Sequence, residues 1–370
     1  MERSDPKRPP RLLVVMPSWL GDCAMATPAL AHIRRSLPGW FIGGLVRPGN
    51  DQLFAGSSFF DELHVERSSG VLGPKFIAAK VRPRRYDSSL LLTNSFSTAL
   101  IVRIAGIPRR IGYDRDARGL LLTDRLRAPR RSGGDWAPIP AVTYYMHAAN
   151  CLLDAAHPRE LSQGTPLTNE CLSLATTPDE EAAASAILAK ANLAPDAPFV
   201  LLNPGGNNPA KRWPPDRFAA LADHLHRAHG LTSLVNGSPA EADLVESIVN
   251  GCNALTPVAG LPGLGITIGA LKALAKRARL MVTNDTGPRH LAAAFGVPVV
   301  SMFGPTDHRW TTIPTRPGAP ERVILADPTL PSSELANDHP QRCAIERIEL
   351  ERVVGAVDEL LSRPVVAEAR

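Results

Sequence analysis

Long apolar runs are missing from this chain. After ten polar, charged and proline-rich residues the first apolar stretch is only Leu12 to Met16, far short of the ~20 residues a membrane helix needs. Nothing there has the apolar core of a signal peptide, so a cytoplasmic protein is expected. Cysteine is scarce as well. The five (Cys23, Cys151, Cys171, Cys252 and Cys343) are odd in number and scattered, with no CxxC and no Cys/His cluster, which reads as reduced thiols and no zinc site. Aromatics make up only 5% of residues and do not interleave with the arginines; no nucleic-acid motif appears, so nucleic acid is not an expected partner.

What is present suits a globular protein: 370 residues, 44% hydrophobic and 21% charged, enough for two domains with separate cores. Charge is unevenly distributed. Residues 1–131 carry 22 Lys and Arg against 11 Asp and Glu, and the remainder 19 against 25. The basic first half should face something anionic, either a membrane surface or an acidic, phosphorylated acceptor; a merely solvated basic face is the competing reading.

The pattern is clearest in LMVTNDTGPRHLAAAFGVPVVSMFGP, Leu280 to Pro305. It predicts a buried strand (Leu280 to Thr283), a tight turn (Asn284 to Gly287), a helix (Pro288 to Phe295) and a second buried strand (Val299 to Phe303). Gly287 allows close backbone approach, Pro288 suits a first helical position, and the amides beside them sit at the positive end of a helix dipole, where a phosphate fits. Asp285, Thr286 and His290 surround that mouth. Taken singly, each also reads as a helix cap or a surface residue.

Along the first half, a strand at Arg11 to Pro17 leads into a turn over Ser18 to Cys23 and then a helix from Met25 to Leu37. This places Asp22 in a loop beyond the carboxyl end of a parallel strand, where ligands bind. Asp22 is the general-base candidate, with helix capping as its alternative. Strands follow at Phe41 to Val46, Glu62 to Val65 and Ser88 to Leu92, with helices at Leu72 to Arg82, Ser97 to Ala105 and Val142 to Ala155. Asn94 and Ser95 follow a strand in the same way as Asp22 and could line the same cleft. Arg109 to Arg131 reads as a basic, glycine-containing stretch with several arginines (Arg109, Arg110, Arg115 and Arg118), expected to be partly mobile.

A new alternating pattern begins with the strand Phe199 to Asn203, which puts the domain boundary between about Thr176 and Pro198. The helix predicted over Pro178 to Ala191 is mostly of surface composition. The loop NPGGNNPAKRWPPDRF after the strand exposes backbone at Gly205 and Gly206 and offers Lys211 as a point charge for a phosphate. It lacks the GK[ST] order of a Walker loop. Glu241 could hydrogen-bond a ribose or base, or be an ordinary first-turn glutamate. Two doubly wound domains with a cleft between them are implied.

Together, PSWLGD, NPGG..PAKRWP, NGSPAE and TNDTGPRHLAAAFGVPVVSMFGP resemble glycosyltransferase family 9, the lipopolysaccharide heptosyltransferases, in order from about Leu12 to Leu361. RYDSSLLLTNSFSTALIVRIAGIPRRIGY resembles the heptosyltransferase II type. The resemblance implies an α/β GT-B fold of two Rossmann-like, doubly wound domains facing a cleft: residues 1–185 for the acceptor, 186–345 for the ADP-sugar, and a C-terminal helical segment, 346–370, that could pack back on the first domain. It implies inverting transfer of L-glycero-D-manno-heptose from ADP-heptose to the Kdo-lipid A inner core, with no metal and no cofactor. Asp22 takes the position of the base, Lys211 lies at the phosphates, Glu241 at the nucleoside, and Asp285, Thr286, Gly287 and His290 form the donor signature; Asn94 and Ser95 fall on the acceptor side. Peripheral contact with the anionic inner face of the inner membrane follows only from the basic first half. The loop before Lys211 is about one residue short for the family, and residues 317–341 match it poorly. A family member with another acceptor or sugar, a nucleotide-sugar epimerase on the same fold and a catalytically silent nucleotide-sugar-binding protein are the alternative readings.

Overall fold

Among the described residues twelve short strands, mostly apolar, carry the architecture; in each sheet the central ones are buried along all or nearly all of their length. Such runs without alternation are what a parallel sheet covered on both faces requires. The computed structural model describes residues 8–66 and 70–363. The first seven residues of the polar N-terminus and the last seven of the expected 346–370 segment lie outside the described residues.

The chain divides into two compact units, residues 1–170 with 309–314, and residues 171–308 with 315–370. The first contains β1 (Arg11–Val15), α1 (Leu20–Met25), α2 (Thr27–Ser36), β2 (Phe41–Val46), α3 (Asn50–Phe54), β3 (Glu62–Val65), α4 (Gly73–Val81), β4 (Ser88–Leu91), α5 (Phe96–Ile104), β5 (Arg109–Tyr113), β6 (Asp124–Leu126) and α6 (Ala141–Leu153). Its sheet runs β3-β2-β1-β4-β5-β6, parallel throughout. Leu13, Val15, Leu45, Leu91, Ile77, Val81 and Val102 form one core between the sheet and helices α4 and α5.

The second unit contains α7 (Pro178–Lys190), β7 (Phe199–Asn203), α8 (Pro215–His229), β8 (Thr232–Val235), α9 (Ala242–Gly251), β9 (Val258–Gly260), α10 (Ile268–Arg277), β10 (Leu280–Asn284), α11 (Gly287–Ala294), β11 (Val299–Phe303), β12 (Glu321–Leu325) and α12 (Leu350–Ser362). Its sheet, β12-β11-β10-β7-β8-β9, is again all parallel. Counted from its own first strand, this is the 3-2-1-4-5-6 order of the first sheet. Each unit is thus a doubly wound, Rossmann-like α/β fold whose chain reverses direction across the sheet at one point, β1/β4 in the first and β7/β10 in the second.

Several elements differ from the sequence reading for identifiable reasons. The basic stretch from Arg109, for which the sequence showed no strand, holds β5 and β6, because its arginines use their reach rather than disturb the sheet: Arg109 donates to the Leu152 carbonyl at 3.2 Å and Arg110 to those of Leu121 and Ile107, both at 2.7 Å. In the segment that matched poorly, β12 starts on Glu321, whose charge is matched by Arg289 across 2.5 Å.

The second unit begins at Cys171, where the reading had placed residues up to 185 in the first domain. Thr177 and Glu180 close a capping box at the start of α7, and Glu181 pairs with Lys276 at 2.9 Å and Arg277 at 2.6 Å on α10. The buried Lys272 meets Glu180 at 3.0 Å. The polar face of α7 is therefore an ion-pair seam rather than a solvated surface.

α12 packs in the second unit's core through Val353, Val357 and Leu360, against strands β10 to β12 and α8. Each of these buried side chains contributes roughly 1.5–3 kcal/mol, which holds α12 in the second unit's core. No described helix is long and apolar enough to cross a membrane.

Candidate active site

In an open parallel sheet, ligands bind beyond the carboxyl ends of the strands where the winding reverses. In the second unit that place is bounded by the ends of β7 and β10, and both strands end on asparagine. Asn203 donates to Thr283 Oγ1 at 3.1 Å and Thr286 Oγ1 at 2.7 Å, and accepts from Asn236 at 2.6 Å. Asn284 donates to the Pro204 carbonyl at 2.6 Å and accepts from the Trp213 amide at 3.3 Å. Buried amides satisfied on both sides hold two loops in one shape.

The glycine loop is fitted to its neighbours. A Cβ on Gly205 would come within 2.4 Å of Glu241 Oε1, so a side chain there would displace the carboxylate from its present place. Glu241 accepts the Gly206 amide at 2.7 Å on one oxygen, and the Ser238 amide and hydroxyl at 2.9 and 2.8 Å on the other. Burial pushes its carboxyl up, but these hydrogen bonds and nearby Arg212 outweigh it and leave the group below its ordinary value. Both oxygens expected to read a nucleoside are therefore engaged in shaping the loop.

Lys211, at the end of a 3-10 turn from Pro209, extends Nζ to Asp285 Oδ2 at 2.8 Å, and Thr306 donates to the same oxygen at 3.1 Å. Burial raises the Asp285 carboxyl; the charges of Lys211 and Arg289 and the Lys211 hydrogen bond more than offset that, and it is ionised. Trp213, fully buried, anchors the loop by donating its indole N–H to the Ile348 carbonyl at 2.8 Å.

α11 starts at Gly287 with Pro288 in its first turn. Its N-cap Thr286 makes no side-chain cap, because that hydroxyl is held by Asn203. His290 is 2% exposed and its Nδ1 has no hydrogen-bond partner. Burial first, then the neighbouring Arg289, push its pKa down to about 3 against the pull of Asp285, so the ring is neutral at physiological pH. The expected donor residues Lys211, Glu241, Asp285, Thr286, Gly287 and His290 thus gather on one sheet edge, with Thr306, Asn203 and Arg212 as further members.

The first unit's switch point lies at the ends of β1 and β4. Asp22 is in the first turn of α1, after the extended N-cap Trp19; the turn expected over Ser18 to Cys23 is this short helix, with Gly21 buried inside it. Tyr145 of α6 donates its hydroxyl to Asp22 Oδ1 at 3.3 Å, and burial, with Asp22 adding to it, holds that phenol protonated. Asn94 accepts from Tyr144 at 2.8 Å and from Arg118 at 3.3 Å, while Ser95 caps α5 through the Thr98 amide at 3.3 Å.

Arg118 carries the local charge. It is fully buried and its Nη1 has no partner, and desolvation lowers its pKa to about 10. The sequence reading assigned no arginine of the basic stretch to the acceptor. Arg118, Tyr144 and Tyr145 have no local signal, since the Tyr145–Asp22 contact spans 123 residues.

Two doubly wound units of one strand order, the second with an anion-ready glycine loop and helix start at its switch point, define a two-domain α/β protein of the GT-B class. The Escherichia coli structure of ADP-heptose LPS heptosyltransferase II superposes with a TM-score of 0.76 at 24% identity, over 95% of this chain and 98% of that one. A family 9 glycosyl transferase from Veillonella parvula gives 0.76 at 22% identity, over 96% and 97%. Residues 76–337 match the model of glycosyltransferase family 9 (heptosyltransferase), and the chain belongs to that family. Lipopolysaccharide heptosyltransferase 2 of Salmonella typhimurium is 27% identical over 366 residues, 95% of this chain and 99% of that protein. Its Escherichia coli namesake is 26% identical over 81% and 84%.

Proposed function

We propose that this glycosyltransferase moves a heptose from ADP-heptose to the lipopolysaccharide inner core, as a heptosyltransferase of the second type. The observation that carries the reading is the second unit's switch point, where the start of α11, Lys211 and the Gly205–Gly206 loop converge. Helix amides and a lysine can take up negative charge developing on a leaving diphosphate without a metal. Nearly full-length likeness to heptosyltransferase 2 proteins supports the choice of sugar and acceptor.

In this mechanism Asp22 removes the proton from the acceptor hydroxyl as its oxygen attacks the anomeric carbon, and the bond to ADP breaks on the opposite face with inversion. Tyr145 orients the carboxylate. Asp285 fixes the Lys211 ammonium so that it meets the diphosphate without reorganising, and Glu241 holds Gly205 and Gly206 in the shape the donor needs. Neutral His290 offers an uncharged imidazole near the same anion. Arg118, a buried cation with an open N–H, supplies the countercharge for an acidic or phosphorylated group on the acceptor. Peripheral attachment to an anionic membrane surface is part of this proposal, on the strength of the basic first half.

The test supplies ADP-heptose with Kdo2-lipid A and, in parallel, with its mono-heptosylated form, following ADP release and product mass. Transfer to the mono-heptosylated acceptor alone is the expected result. Transfer only to Kdo2-lipid A would reassign the acceptor, and failure to bind ADP-heptose would remove the donor. Loss of binding to anionic vesicles at low salt would end the membrane part.

A further inference from the structure

The end of α6 and the loop after it gather three side chains that the transfer mechanism does not use: His147, Cys151 and His157. The sequence reading saw no Cys/His cluster, yet His147 and Cys151 are four residues apart and so share one face of a helix. The loop then turns back, with the His157 amide donating to the Asp154 carbonyl at 3.2 Å. It is pinned beyond that by Arg127, which donates to the Arg159 carbonyl at 2.8 Å and accepts from the Leu161 amide at 2.9 Å. One ligand atom from each of the three side chains lies within 4.8 Å of the others. Cys151 is 0% and His147 6% exposed.

The ligand atoms converge on one point. His147 Nε2 lies 3.0 Å from the Pro158 carbonyl oxygen and 3.8 Å from Cys151 Sγ, and Sγ lies 3.4 Å from the same oxygen. On the other side of the ring, Nδ1 lies 2.8 Å from the Tyr113 hydroxyl. Nitrogen, sulfur and oxygen separated by 3.0–3.8 Å match the edges of a tetrahedron with metal bonds of roughly 2.0–2.3 Å. An Nδ1–H fixed by an outer partner is the usual support of a metal-bound histidine.

We propose that His147 Nε2, Cys151 Sγ and His157 bind a zinc-like divalent cation, with the Pro158 carbonyl at the fourth position. The ion ties the end of α6 to residues 154–161. Loading exchanges the thiol proton for the metal: the S–H bond breaks, the S–metal bond forms, and one proton leaves to solvent. The role is positional. One turn earlier α6 carries Tyr144 and Tyr145, whose hydroxyls hold Asn94 and Asp22. The inference stands on this cluster's own geometry, whatever the sugar transferred.

Titration of the purified full-length protein with Co2+ alone tests it. Expected are one equivalent bound with a sulfur-to-cobalt charge-transfer band, one proton released, and loss of the band when Zn2+ is added. A second cluster, His224, His229 and Asp358, contains no sulfur and cannot give that band. Cys151→Ser should abolish it and Cys252→Ser should leave it unchanged. His157→Ala, in the loop and only half-buried, should weaken Co2+ binding at least ~10-fold while the protein stays folded, and it decides the matter if Cys151→Ser does not fold. Folded protein that shows no band with Co2+, or a band that survives in Cys151→Ser or is undiminished in His157→Ala, overturns the proposal.

Discussion

The two units wind their chains identically and use the result differently. At the β7/β10 switch point the loops are locked: asparagines at both strand ends and a doubly engaged Glu241 leave little to rearrange around Lys211 and the start of α11. At β1/β4 the walls are aromatic, with Tyr144 stacked on Tyr113 at 3.7 Å, and the charged groups include the Asp22 carboxylate, which a phenol reaches, and a buried arginine with an open N–H. In the proposed mechanism one topology then serves as a rigid anion cradle in one case and as a hydroxyl-handling surface in the other. Strand order places a site; loop chemistry decides what the site does.

Breaking the first unit's site should cost most. Asp22→Asn keeps the shape and removes the base, and transfer should fall about a thousandfold or more with ADP affinity unchanged; single-turnover rates beside calorimetric ADP binding check both halves of that statement. Lys211→Ala acts at the other switch point. It should lower kcat about a hundredfold and weaken ADP binding as well, because the ammonium meets both the bound diphosphate and the departing one. If Asp22→Asn weakened ADP binding as much as Lys211→Ala does, the division of labour between the units would be wrong.

Legibility in the sequence followed the same division. β7, β10 and β11 are mostly apolar, fully buried runs and appear at the expected places, and the donor signature is contiguous from Asp285 to His290, so one stretch displayed half a site. β5 and β12 were hidden because charged side chains enter them, and each charge has its partner elsewhere: Arg109 lies 3.6 Å from Asp124, and Glu321 meets Arg289. α1 was hidden because its six residues are too few to show a period. The acceptor side was least legible, since Tyr144, Tyr145 and Arg118 reach it from distant elements and no local pattern marks a residue whose partner is a hundred positions away.

Rigidity of the donor cradle can be tested without touching a charge. Gly205→Ala places a methyl group where Glu241 Oε1 now sits, so the carboxylate must give up the Gly206 amide or the backbone must move. ADP affinity should drop roughly tenfold, with transfer per bound donor less affected. A double variant with Glu241→Ala should do no worse than Glu241→Ala alone, because the clash and its target disappear together; additive losses would mean that Gly205 is required for a reason other than Glu241.

The smallest effect concerns His290, which joins the cradle to stability. Its folded pKa, about 3, lies below the ordinary 6.5 of an exposed imidazole. Between those values the unfolded chain binds a proton that the folded chain does not, so folding stability is fully present above the unfolded value and is lost as pH falls through 6.5 towards 3. Going from about pH 7.5 to about pH 5.5 should cost on the order of 1 kcal/mol through this one ring. His290→Gln removes the titration. The gap in unfolding free energy between the two proteins, from urea melts at both pH values, should therefore move by about that amount in the variant's favour at the lower pH. Other histidines cancel in the difference, so a gap that stays constant would mean that the ring accepts a proton while folded, with Asp285 2.8 Å from Lys211 then facing two cations at the donor mouth instead of one.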